Sequence, residues 1–161
     1  MQAGFAVDEE PLRETVLRAY QETRGATGAP KAVLDAVRQF LSGAPGGKSA
    51  PGRYWFEEDP PASIASFVED LDGAAPGLAR QVLDPLLAAV VKMEKNRGRE
   101  LVPNVAMLVS SLSGAVSVKT GLDETLAGAA LSAAILGLSR LGSDPFTGAL
   151  ERKEAPPESR P

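Results

Sequence analysis

The chain reads as an all-α bundle, and three observations say so. Apolar residues recur at spacings of three and four along most of its length, the period of a helix that buries one face. Residues that start and stop helices punctuate those runs. The stretch 103–141 forms two apolar segments joined by Lys119-Thr120-Gly121-Leu122-Asp123, which is a helical hairpin built mostly of Ala, Ser, Gly, Val and Leu. The expected architecture is a compact bundle of five to six helices around that C-terminal apolar hairpin, with a long loop at 44–60 and a disordered tail at 143–161. One domain, 1–142, then comprises an N-terminal hairpin at 8–43, the loop at 44–60 and a helical core at 61–142. A chain of 161 residues fits one domain, and about 150 residues bury roughly two thirds of their unfolded surface, ample for a single core.

Asp8, Glu9, Glu10 and Pro11 make the first helix start: a capping carboxylate, further negative charge in the first turn, and a proline tolerated there. That helix runs to about Arg24, with Leu12, Val16, Ala19 and Tyr20 on its apolar side, and Gly25 and Gly28 end it. Pro30 opens a second helix whose stripe is Val33, Leu34, Val37, Phe40 and Leu41. Both have charged outer faces, so both belong on the surface of the bundle, paired as a first hairpin.

No periodicity survives over 44–60, and loops longer than about 12–15 residues are uncommon in compact domains unless they work or are disordered. Gly46-Gly47-Lys48-Ser49 matches the end of a phosphate-binding loop, but the first glycine of that pattern falls at Ser42 and Pro51 stands where the helix must begin. Arg53, Tyr54, Trp55 and Phe56 are the notable group. They hold the only Trp of the chain. Large aromatics anchor a long loop onto a bundle, and Trp, Tyr and Arg are also enriched at partner contacts. Glu57, Glu58 and Asp59 read as a solvated helix approach, with Asp59 capping a third helix over 61–71 that turns Ile64, Phe67, Val68 and Leu71 inward.

A fourth helix is predicted over 76–97, continuous but kinked at Pro85, where an interior proline removes a hydrogen bond. Asp84 beside it reads as half of a structural ion pair. Lys92, Lys95, Arg97 and Arg99 form a basic patch at the helix end, where cations suit the dipole. In the hairpin, Val105, Leu108, Val109, Leu112 and Val116 make the inward stripe of the first arm. Lys119 and Gly121 close it and Asp123 caps the next. The second arm has no charge between Leu126 and Ser139, and a helix apolar all round is buried all round, either at the centre of a bundle or at the seam of an oligomer.

The chain contains neither Cys nor His. That removes thiol nucleophiles, imidazole acid/base catalysis, Ser-His-Asp triads, and zinc sites built on Cys or His. No catalytic, cofactor-binding or metal-binding residue is assigned. The formal charge of −4 has acids and bases interleaved throughout, so nucleic acid is not an expected partner. Residues 101–118 approach the length of a membrane span, but Pro103, Asn104, Ser110, Ser111, Ser113 and Ser117 stand against insertion, and the second arm is too short to cross about 30 Å of hydrocarbon. The N-terminus has no cationic region and no long apolar run, so the expected compartment is the cytoplasm. The expected function is a small non-enzymatic interaction protein or assembly subunit that self-associates through its apolar helices. The alternative is a binder of a small apolar ligand in a cavity where Pro85 breaks regular packing; a carboxylate-based enzyme ranks below both.

Overall fold

The computed structural model describes residues 9–25, 27–42, 56, 60–95 and 105–154. Seven helices account for nearly all of them: α1 (Glu10–Glu22), α2 (Ala29–Ser42), α3 (Pro60–Ala74), α4 (Leu78–Lys95), α5 (Val105–Thr120), α6 (Glu124–Leu141) and α7 (Asp144–Glu154). No strand occurs among the described residues. The protein is all-helical.

Helix α6 is the axis of the bundle, and α1, α2, α4, α5 and α7 all pack on it. Every residue from Leu126 to Ser139 is buried. Its ends are well specified. The Asp123 carboxylate accepts the Thr125 amide at 2.9 Å, and Gly142, at φ +83°, sends its own amide back to the Leu138 carbonyl at 2.8 Å. Full burial of Leu126, Leu131, Leu136 and Leu138 is worth about 1.5–3 kcal/mol each. Two helical glycines cost about 1 kcal/mol each relative to Ala, so packing wins easily.

One of those glycines is required by sterics. Phe40 of α2, Phe56, Phe67 of α3 and Phe146 of α7 form a single aromatic cluster. Phe40 stacks on Phe67 with centroids 4.4 Å apart and meets Phe146 edge-on at 6.3 Å. A Cβ at Gly137 would stand 2.8 Å from Phe146 Cζ and 2.9 Å from Phe40 Cζ, so the bare backbone there is the notch that seats both rings.

Helix α7 corrects the expectation of a disordered tail from 143. Ser143, Asp144 and Pro145 carry the polar-then-proline signature of a helix start, and the Thr147 amide reaches the Ser143 carbonyl at 3.0 Å. Phe146, Ala149 and Leu150, spaced as one helical face, are buried. A single aromatic filling the Gly137 notch outweighs the polar composition that follows it. Residues 155–161 lie outside the described residues.

The N-terminal helices also differ from a simple hairpin. Helix α1 lies chiefly on α6, and α2 lies chiefly on α3 and α6, so each is held by the centre more than by the other. Their mutual contact includes the Arg38 guanidinium 5.8 Å above the Tyr20 ring. Asp8 is outside the described residues; Glu9 is the residue that precedes α1, and it makes no side-chain cap. Its carboxylate instead holds Arg13 at 2.8 Å and Arg140, at the far end of α6, at 2.8 and 2.9 Å. Helix α3 runs three residues past the expected 71, to Ala74. Asp72 then accepts the Ala79 amide at 3.0 Å and so caps α4 across the turn. Helix α4 is continuous through Pro85. Its neighbours Val82, Leu83 and Leu86 have no exposed surface, so the proline does not open the core.

Candidate functional site

Helix α5 has two faces of different character. Val109, Val116 and Ser113 are buried on its inner side, and Leu108 and Leu112 pack partly against the core. Among the described residues, no element packs on its outer side. Met107 is 67% exposed and Val118 87% exposed, and the only other large apolar residue described as exposed is Leu17 of α1. Met107, Ser111, Gly114 and Val118 fall at intervals of four, three and four, so they form one strip along about 16 Å of helix. Charge is absent from the whole of α5 until Lys119.

Beside that strip a groove of about 390 Å³ runs between α1 and α5 over the start of α6. Glu14, Thr15 and Arg18 make one wall, Val109, Ser110 and Ser113 the other, and Glu124, Thr125 and Gly128 the base. Gly128 is the floor: a Cβ there would meet Thr15 Cγ2 at 3.4 Å and Val109 Cγ1 at 3.9 Å. Two of the wall hydroxyls are already used. Thr15 donates to the Pro11 carbonyl at 2.9 Å and Ser113 to the Ser110 carbonyl at 2.9 Å. Each hydroxyl is thus turned to a backbone carbonyl of its own helix. The rim is acidic and basic together, from Glu14, Glu124 and Arg18.

The groove is held open by clamps at the two ends of α1. Thr125 donates to the Glu22 carboxylate at 3.1 Å, and Glu9 binds Arg140 at the opposite end. Helix α1 is therefore antiparallel to α6. Burial alone raises the Glu9 pKa, but the hydrogen bond and charge of Arg140, reinforced by Arg13, outweigh it and leave the carboxyl below its ordinary 4.5. Elsewhere burial raises Asp70, with Glu69 and Asp35 adding to it against the Ser66 hydroxyl. Among the described residues no group of three or more His, Cys, Asp or Glu is arranged to hold a metal ion.

Of the residues expected to contact a partner, Phe56 is wholly buried, its ring 4.9 Å from that of Phe40. Arg53, Tyr54 and Trp55 lie outside the described residues, as do Arg97 and Arg99 of the basic patch. Lys92 and Lys95 belong to the last turn of α4, and their side chains are likewise outside. Asp84 pairs with Arg80 at 3.1 Å on an exposed flank. The groove has no local signature in the sequence, because its walls come from residues some 90 positions apart. Among the described residues, no single helix is long and apolar enough to cross a membrane; α6 and the start of α7 pass that test only as a pair bent by 119°. Compared with protein-family models, with curated proteins and with solved structures, the chain matches none.

Proposed function

We propose that this chain is a non-enzymatic interaction protein whose docking surface is the outer face of α5. The observation that carries the reading is the exposure of Met107 and Val118 at the two ends of one uncharged strip. Helix α6, the first choice for an association seam, is covered on all sides by its own chain, so its apolar surface is spent on the fold. Helix α5 is the apolar element with a face left over. Exposed apolar side chains that share one face of a helix favour a surface that another protein covers, and here the Glu124 carboxylate, 4.0 Å from where a Cβ at Gly114 would stand, borders that face.

The reading is tested by comparing the tagged chain with its Val118→Glu variant. Since Val118 is on the surface, the variant keeps its helicity and its melting temperature, and it loses the protein that associates with the parent chain, whether another copy or a different polypeptide. A parent chain that associates with nothing defeats the proposal.

A further inference from the structure

On a helix, an acid and a base four residues apart are well placed to pair, most of all with the acid first. Glu9 takes Arg13 in this way, and Lys31 with Asp35 and Arg80 with Asp84 pair at the same spacing. Arg18 is the exception. It stands four residues after Glu14 and four before Glu22, yet among the described residues it pairs with neither. Glu22 is engaged by the Thr125 hydroxyl. Glu14 and Arg18 are exposed on the wall of the groove between α1 and α5, and Glu124 at its base is also without an ion pair among the described residues. Three unspent charges therefore share one groove.

Their order along it follows from the helix directions. Helix α5 joins α6 through the short turn 121–123, so the two are antiparallel; α1 is antiparallel to α6 as well, and α1 and α5 run the same way. Thr15 and Ser113 meet over Gly128. Beyond them in the same direction come Arg18 on α1 and, against α5, the Glu124 carboxylate, 4.0 Å from where a Cβ at Gly114 would stand. Arg18 and Glu124 thus flank one end of the groove from opposite sides. Glu14 lies about 6 Å back along α1, toward the Ser110 end. Between the two ends the floor is bare backbone at Gly128, with a Val109 methyl beside it.

A guanidinium and a carboxylate on opposite sides of a gap suit the carboxylate and the ammonium that a free amino acid carries on one carbon. A side chain leaving that carbon runs over the Gly128 floor toward Glu14, and about 6 Å is the reach of a four-carbon chain ending in a second ammonium. Two acids and one base are then matched by two cations and one anion. The groove volume of about 390 Å³ is at the low end of the roughly 300–1,000 Å³ of small-molecule sites, which calls for a small ligand.

We propose that this groove binds a free dibasic α-amino acid of the lysine type, with its carboxylate on Arg18, its α-ammonium on Glu124 and its terminal ammonium on Glu14. The site goes beyond the docking face of α5 and does not depend on it. Titration of the full-length protein with L-lysine at constant ionic strength, followed by amide chemical shifts, gives saturable changes at the groove residues with a Kd of about 1 mM, as suits ten non-hydrogen atoms in an open site. L-Norleucine, which lacks the terminal ammonium, and cadaverine, which lacks the carboxylate, each bind about tenfold more weakly. Glu14→Gln no longer distinguishes lysine from norleucine, and Arg18→Gln no longer distinguishes lysine from cadaverine. Both variants keep the parent melting temperature, because both positions are exposed and unpaired. Val118→Glu binds lysine as the parent does, so the groove and the docking face fail separately. The proposal is overturned by the absence of saturable shifts up to about 50 mM lysine, by shifts that map away from the groove, by equal binding of the three compounds, or by undiminished lysine binding when Glu14→Gln and Arg18→Gln are combined.

Discussion

Between Val105 and Val118 helix α5 carries no charged residue, and between Leu126 and Ser139 neither does α6, yet the first is half exposed and the second fully enclosed. Both are built mainly of Ala, Ser, Gly and branched aliphatic residues. The difference lies in their neighbours. Five helices reach α6, whereas, among the described residues, α5 packs chiefly on α4 and α6. An absence of charge thus permits burial without requiring it, and the residue that reports the outcome is the odd large one: Leu131 inside α6, Val118 outside α5.

The comparison breaks first if α6 loses a cover. Phe146→Ala empties a buried aromatic site and unseats α7, and it is expected to cost about 3–5 kcal/mol in urea unfolding. A loss under 1 kcal/mol would mean that α7 does not enclose α6 at all. Gly137→Ala is a finer probe of the same contact. A methyl 2.8–2.9 Å from two rings overpacks the notch by about 1–3 kcal/mol, against the gain of about 1 kcal/mol that Ala brings to an unconstrained helix. A net stabilisation shows that the rings yield.

Glu9→Gln tests the clamp that ties α1 to the end of α6. A carboxylate with a lowered pKa stabilises the fold above its unfolded pKa, and that contribution disappears as pH falls through the folded value, which lies below 4.5. The variant is therefore less stable than the parent at pH 7, by about 1 kcal/mol for a partly exposed pair. The two converge in melting temperature at strongly acid pH. A gap that persists there would locate the effect in packing instead of charge.

Ser132 reverses the sign. Its hydroxyl is buried in α6 without a hydrogen-bond partner, so Ser132→Ala removes an unmet polar group and raises stability by up to about 1 kcal/mol. The smallest effect belongs to α5. Val118→Ser leaves stability within about 0.5 kcal/mol, as an exposed site should, while Leu131→Ser in α6 falls far outside that range. Equal losses at the two positions would mean that α5 is as enclosed as α6.

Local signals in the sequence carried most of the elements. Pro30, Gly121, Asp123 and the stripe of α2 are read from neighbours within four positions, and the helices fall where those neighbours put them. The start of the tail departs from its composition: Ser143-Asp144-Pro145 and the spacing of Phe146, Ala149 and Leu150 are helix signals, while Pro and Glu beyond residue 153 give the segment, on average, the composition of a disordered tail. Glu9 was read as negative charge for the first turn of α1, and its partner Arg140 stands 131 positions away. No window of local sequence contains that pairing.

What the sequence determined by itself is helicity, the turn between α5 and α6, and the lack of thiol and imidazole chemistry, since these follow from residue identity and from contacts one turn apart. Tertiary structure alone decided which uncharged helix is enclosed, why residue 137 has no side chain, and where α1 and α5 leave a groove. The physical reason is range. Capping and periodicity are settled within about four residues, whereas burial depends on which distant surfaces arrive. Phe40 and Phe146, more than a hundred positions apart, meet at Gly137 only once α2 and α7 have both packed on α6.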